Sequence, residues 1–181
     1  MRCLEILVQE HGILNEALDA LSLALDKLEK GEKPPRKFFE NALEFIQTYV
    51  NKYHNCKEEY VLFEMLSQKR SRDIVTQIES LKYQHERARN QTAEMAKSLN
   101  GYEKGDEIQK VKLIENLAAY ISLLRMHLKW ENSIFYPAAR KEITEKEEQM
   151  LLEDFQKEDK KMTAGSIKHC TDLVKDMRQL L

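Results

Sequence analysis

Five histidines occur in the chain, and four of them fall into a repeated pattern with glutamate. His11 stands alone, His54 is followed four residues later by Glu58, His85 stands alone, and His127 is followed four residues later by Glu131. His11 and His85 lie 74 residues apart and His54 and His127 lie 73 apart, so the two halves are built alike around these positions. The flanking strings HNCKEEYVLF and HLKWENSIF share the same pattern. Imidazole nitrogens with carboxylate oxygens suit Fe, Mn, Zn or Co; the lack of an oxygen-only set disfavours Mg and Ca, and the lack of thiolate ligands disfavours a structural zinc site. One His-x-x-x-Glu alone is an ordinary pair on a helix surface. Two in register with two lone histidines form a ligand set.

The elements that must position these groups are helices. Helix 1 is expected from about Cys3 to Lys30, with Leu4, Leu7, Leu14, Leu18, Leu21, Leu25 and Leu28 in steps of three and four and His11 as the one interruption. Gly31 to Pro35 ends it. Helix 2 runs from about Arg36 to Leu66 with Leu43, Val50, Val61 and Met65 inward, and His54 and Glu58 on the same side. After the polar stretch Ser67 to Arg72, helix 3 continues to about Asn100 with Ile74, Ile78, Leu81, Ala88 and Met95 inward and His85 in the seam. A turn from Asn100 to Asp106 leads to helix 4, whose stripe is Leu113, Leu117, Tyr120, Leu124, His127, Glu131, Ile134 and Ala138. Thr144 and Glu147 form a capping box that opens a further helix, and a last segment spans about Ser166 to Leu181. The fold class is all-α: a single domain with an antiparallel up-down-up-down four-helix bundle over residues 1–140 and a C-terminal helical cover over 141–181.

Counting along the helices puts the four histidines at one height. At ~1.5 Å per residue, His11, 20 residues before Gly31, meets His54, 19 after Pro35, in an antiparallel pair. His54 is 13 residues before Ser67 and His85 is 13 after Arg72, and His127 agrees within about a turn. Burying imidazoles and carboxylates in a seam costs several kcal/mol unless they find partners, and metal binding resolves that cost. Six side chains are too many for one ion with an exchangeable position and suit two ions. If both glutamates bridge, each ion receives two nitrogens and two oxygens, and an oxo or hydroxo bridge would offset charge and leave a place for a small ligand.

Composition excludes other classes of partner. The net charge is −2 with Lys and Arg scattered, so there is no footprint for nucleic acid or an anionic membrane. No apolar run approaches the ~20 residues of a membrane span, and the start MRCLEILVQEHG is acidic too early for a signal peptide. Three cysteines, Cys3, Cys56 and Cys170, are far apart and fit a reducing, cytoplasmic compartment without disulfides. Tyr120, two turns before His127, reads as a packed seam tyrosine ahead of a hydrogen-bond donor to a bound ligand. Arg89 reads as snorkelling to solvent, Tyr53 and Glu59 as pointing away from the site, and His169 and Cys170 as surface or packing residues.

At the six residues His11, His54-x-x-x-Glu58, His85 and His127-x-x-x-Glu131 the chain resembles the hemerythrin-like, or HHE cation-binding, family, whose signature is H-HxxxE-H-HxxxE. The resemblance extends from about residue 1 to Ala139 and more weakly into the next helix. It implies a non-haem di-iron centre in which Glu58 and Glu131 bridge, His11 and His54 serve one iron, and His85 and His127 serve the other. It further implies binding of, or reaction with, O₂, peroxide or nitric oxide, in a sensor, a binding protein or an oxidoreductase. Oxygen carriers of that family have a second histidine four residues after the one matching His85, and a longer spacing to aspartate on the last helix; this chain has Arg89 and His127-x-x-x-Glu131. Two open irons favour sensing, peroxide or nitric oxide chemistry, or iron handling over reversible O₂ transport. Iron storage or repair, zinc or manganese in the same ligands, and a metal-free helical interaction module are the alternatives.

Overall fold

A computed structural model describes residues 1–162 and 164–181, and no strand occurs among them. Six helices follow one another: α1 (Arg2–Glu29), α2 (36–67), α3 (Arg72–Glu103), α4 (107–142), α5 (Glu145–Lys161) and α6 (Ala164–Gln179). The first four form the bundle expected of an all-α hemerythrin-like fold. α3 runs about one turn further than the sequence suggests, to Glu103.

The turns between helices are set by local chemistry. Gly31 and Gly105 take φ of 83° and 81°, a left-handed conformation that costs glycine no Cβ clash. After each, an amide reaches back to close the helix: Glu32 donates to the Lys27 carbonyl and Asp106 to the Gly101 carbonyl, both at 2.9 Å. Asp106 then caps α4 by accepting from the amides of Ile108 and Gln109 at 2.9 and 3.1 Å. Thr144 and Glu147 make the expected capping box at the start of α5.

Two apolar clusters fill the bundle, one on each side of a polar layer. One contains Leu14 and the remainder of α1, Phe38 to Val50 of α2, the later part of α3 and the earlier part of α4, and is closed by Cys170, Leu173, Val174 and Met177 of α6. The other contains Cys3, Leu4 and Leu7, the end of α2, the start of α3 and the end of α4, and is closed by Leu151 and Phe155 of α5. The four repeated histidines and both glutamates lie between Leu7 and Leu14 and at the same level on α2, α3 and α4, all buried.

Two helices are not regular α-helices through this layer. α2 is π-helical over Ile46–His54 and Glu58–Leu62, and α4 over Glu131–Phe135. With ~3.6 residues per α-turn, every fourth residue drifts about 40° around the axis, whereas a π-turn takes in an extra residue and reverses the drift. Every fourth residue of α2 from Phe38 to Leu66, His54 and Glu58 included, is therefore buried in one straight row.

The same widening corrects the inward stripe read from sequence. After Glu58 the inward residues are Leu62 and Leu66, while Val61 and Met65 are only partly buried. After Glu131 they are Phe135 and Ala139, while Ala138 is partly buried and Ile134 is 43% exposed. A π-turn beginning at the glutamate shifts the phase by one residue in both halves. The difference can be measured: Phe135→Ala should destabilise the protein by about 3–5 kcal/mol, and Ile134→Ser by less than about 0.5 kcal/mol. Denaturant midpoints with unchanged slopes would read this, and comparable losses for the two variants would refute the phase shift.

Candidate metal centre

Each helix of the bundle brings one part of the centre. α1 supplies His11, α2 supplies His54 and Glu58, α3 supplies His85, and α4 supplies His127 and Glu131. All six side chains converge. His11 Nε2 lies 3.1 Å from His54 Nε2, and His85 Nε2 lies 3.0 Å from His127 Nε2. The ring pairs are related alike, with centroids 4.7 Å apart in each and interplanar angles of 66° and 63°.

Both glutamates sit between the two histidine pairs. Glu131 turns Oε2 toward His11 Nε2 at 3.4 Å and Oε1 toward His127 Nε2 at 3.1 Å. Glu58 presents one oxygen, Oε2, to His54 at 3.6 Å and to His85 at 3.4 Å. Two groups of four result, His11, His54, Glu58 and Glu131, and Glu58, His85, His127 and Glu131, each with its ligand atoms within 4.8 Å of one another.

The outer nitrogen of every ring is engaged, and this fixes what the inner nitrogen can do. His54 Nδ1 meets Glu10 Oε2 at 2.9 Å, His85 Nδ1 meets Glu59 Oε1 at 2.6 Å, His11 Nδ1 meets Asn132 Oδ1 at 2.9 Å, and His127 Nδ1 meets Gln84 Oε1 at 3.0 Å. These oxygens only accept, so Nδ1 carries the proton and Nε2 turns a lone pair inward. With all four rings neutral, two lone pairs face each other across about 3 Å in each half. Three inward carboxylate oxygens, Glu58 Oε2 and both of Glu131, are buried without a hydrogen-bond donor, a costly arrangement in a low-dielectric interior.

A cation satisfies all of these groups together. Two donors at ~2.1 Å from one ion lie about 3.0 Å apart at a right angle and about 3.4 Å apart in a tetrahedral arrangement. The His–His and His–Glu separations, 3.0 to 3.6 Å, fall around that range. The donor set and its spacing fit two ions that share the glutamates.

Protons must stand in for such ions in the metal-free protein. Burial and the neighbouring His54 push the His11 imidazole down to about 4, and burial with His85 lowers His127 well below its ordinary value. Burial acts against a charged His85 too, but the Glu58 and Glu59 carboxylates outweigh it and raise its pKa. Burial and the adjacent Glu58 carboxylate hold Glu131 protonated well above the usual 4.5. Tyr136 donates to Glu58 Oε1 at 2.6 Å, which marks Glu58 as the ionised partner of the two.

Several of these residues escape a reading of the sequence alone. Glu59 does not point away from the site; it receives His85, and Arg89 binds it at 3.0 Å in place of running free to solvent. Tyr120 packs beside Leu14, Phe45 and Val50, two turns from the centre. The tyrosine at the centre is Tyr136, stacked on His11 with centroids 5.7 Å apart and matched in the other half by Phe63 on His85 at 6.1 Å. The repeat itself holds the missing signal. Glu10 and Gln84 each precede a lone histidine, Glu59 and Asn132 each follow a glutamate, and Phe63 and Tyr136 each stand five residues beyond one. His169 is exposed and paired with Glu44, and Cys170 is buried, as read.

A surface groove of about 300 Å³ lies between the start of α1 and the end of α4. Its lining includes Leu4, Val8, Arg140 and Lys141 as well as Asn132 and Tyr136, the two groups that touch His11.

The raised carboxyl gives a pH signature for protein freed of metal. A carboxyl whose folded pKa is raised contributes stability that is full below 4.5 and is lost as pH rises through the folded value. Glu131→Gln removes this loss, so the variant should gain in melting temperature over the metal-free parent progressively as the pH rises above 4.5. A constant difference across that range would contradict the assignment of the proton to Glu131.

Known proteins place the chain. It is 24% identical over 178 residues to uncharacterized proteins of Mycobacterium tuberculosis and Mycobacterium bovis, a match that takes in 98% of this chain and 69% of theirs. No solved structure matches it. The model of the hemerythrin HHE cation binding domain matches residues 3–139. That span runs from the second residue of α1 into the last turns of α4 and contains all six converging side chains; the chain belongs to the hemerythrin HHE cation-binding family.

Proposed function

We propose that the six side chains hold two iron ions, His11 and His54 at one, His85 and His127 at the other, with Glu58 and Glu131 between them, and that the pair binds or reacts with a small oxidant. O₂, hydrogen peroxide and nitric oxide are the candidate ligands. The observation that carries the reading is the sharing of both glutamates by two otherwise separate histidine pairs. A pair of irons there would supply electrons and exchangeable coordination positions to such a ligand.

The chain's own residues serve this chemistry by position. Glu10, Glu59, Asn132 and Gln84 keep the four rings in one tautomer with Nε2 inward. Tyr136 donates to one oxygen of Glu58, and its hydroxyl oxygen lies 3.4 Å from His11 Nε2. Phe63, Phe135, Leu62 and Leu81, all buried, keep bulk water from the layer on one side. The groove over Asn132 and Tyr136 admits small molecules, and its Arg140 and Lys141 favour small anions. Free cysteines at Cys3, Cys56 and Cys170 suit a reducing, cytoplasmic setting.

Elemental analysis tests the reading most directly. Protein purified in air should carry close to two irons per chain and absorb in the near ultraviolet, and a Glu58→Ala, Glu131→Ala double variant should lose both properties. A folded, colourless, metal-free parent would refute the iron centre. Turnover of hydrogen peroxide or nitric oxide by the parent and not by the double variant identifies an oxidoreductase; ligand-induced spectral change without turnover identifies a binding or sensing protein.

A further inference from the structure

Lys57 is fully buried, 0% exposed, one residue before Glu58. An uncompensated ammonium there would cost several kcal/mol, and three groups stabilise it. Glu10 Oε1 lies at 2.5 Å, Asp159 Oδ1 lies at 2.6 Å, and the Tyr53 ring centroid lies at 3.7 Å. The Asp159 contact is an ion pair. The second oxygen of Glu10 receives His54 Nδ1 at 2.9 Å. A chain of side chains thus runs from the centre outward: His54, Glu10, Lys57, Asp159. Its last member, 42% exposed, sits on α5, beyond the residues 3–139 that match the family.

Among the described residues, no such extension exists at the other outer positions. His127 and His11 turn to the neutral amides Gln84 and Asn132. His85 turns to Glu59, which is anchored by Arg89 from α3 within the bundle itself. Among the described residues, one histidine in four is therefore tied to α5.

We propose that Asp159 is a positioning residue for the metal centre: by holding Lys57 in place against Glu10 it fixes His54 with Nε2 inward, and α5 is thereby a part of the His11–His54 metal position. This rests on the metal assignment above. Without the Asp159 carboxylate, the Lys57 ammonium has Glu10 as its only charged partner among the described residues and draws the negative charge of Glu10 to itself. Glu10 then accepts less strongly from His54 Nδ1, the ring is less basic, and its inner nitrogen is a weaker donor. The His85 and His127 rings keep their own partners.

Cobalt(II) titration of the metal-free full chain, read by its visible absorption, tests this without recourse to activity or to iron. The parent is expected to bind two ions. Asp159→Asn should weaken one of them by about 10- to 100-fold, the range for loss of a group that orients a ligand, and leave the other unchanged. Asp159→Glu should restore most of the loss, and the His54 Nδ1–H proton resonance should move in Asp159→Asn and return in Asp159→Glu. Unchanged affinities, or equal weakening of both ions, would overturn the proposal, since a merely structural role predicts the latter. If Asp159→Asn does not fold without metal, Glu10→Gln must show the same one-sided weakening, and two unaffected ions there overturn it as well. A parent that binds fewer than two ions removes the metal assignment itself, and the proposal with it, before any variant is read.

Discussion

Four imidazole nitrogens and two carboxylates, aimed at one another inside a buried seam, are the constraint around which this molecule is organised. Each half sets two Nε2 atoms about 3 Å apart with their protons committed to the far side of the ring. Three carboxylate oxygens face the same space without a donor. Hydrophobic burial above and below the layer creates the low dielectric that makes such crowding severe. The same burial would strengthen the attraction of the centre for a positive ion. The apolar clusters and the polar layer are thus not separate features, because the first sets the energetic scale of the second.

The backbone adapts to this demand in a repeated way. A π-turn opens at Glu58 and another at Glu131, and each admits one extra residue just after a glutamate that must face inward. The row of every-fourth residues then stays straight through the centre, so histidine and glutamate aim at the same point without breaking the apolar packing beyond them. The widened turn also leaves Glu59 within reach of His85 and brings Tyr136 over His11. The two halves differ in what they deliver there, since Tyr136 carries a hydroxyl to Glu58 and Phe63 carries none.

The helices and the six central residues were legible in the sequence because polar residues stand out against a leucine stripe. His11 among Leu7, Leu14 and Leu18 is conspicuous, and its repetition at His85 gives the height of the layer. The phase after each glutamate was not legible. Val61, Leu62 and Phe63 are all apolar, as are Ile134, Phe135 and Tyr136, so composition does not tell which of them turns inward after the extra residue. Glu59 was passed over for the same reason: next to Glu58 on a regular helix it points about 100° away. Nothing in the sequence marks Lys57 as buried, because its partner Asp159 is 102 residues distant and belongs to another helix.

The six central side chains come from four different helices and none is more than 2% exposed. An ion enclosed there has no ligand that can swing away on its own, because each is locked by its neighbours in the seam. Release requires helices to part, so residence time would follow the breathing of the bundle and not the exchange rate of any single bond. Thermodynamic affinity and speed of departure become separately adjustable, the first by the donor atoms and the second by the apolar packing on either side.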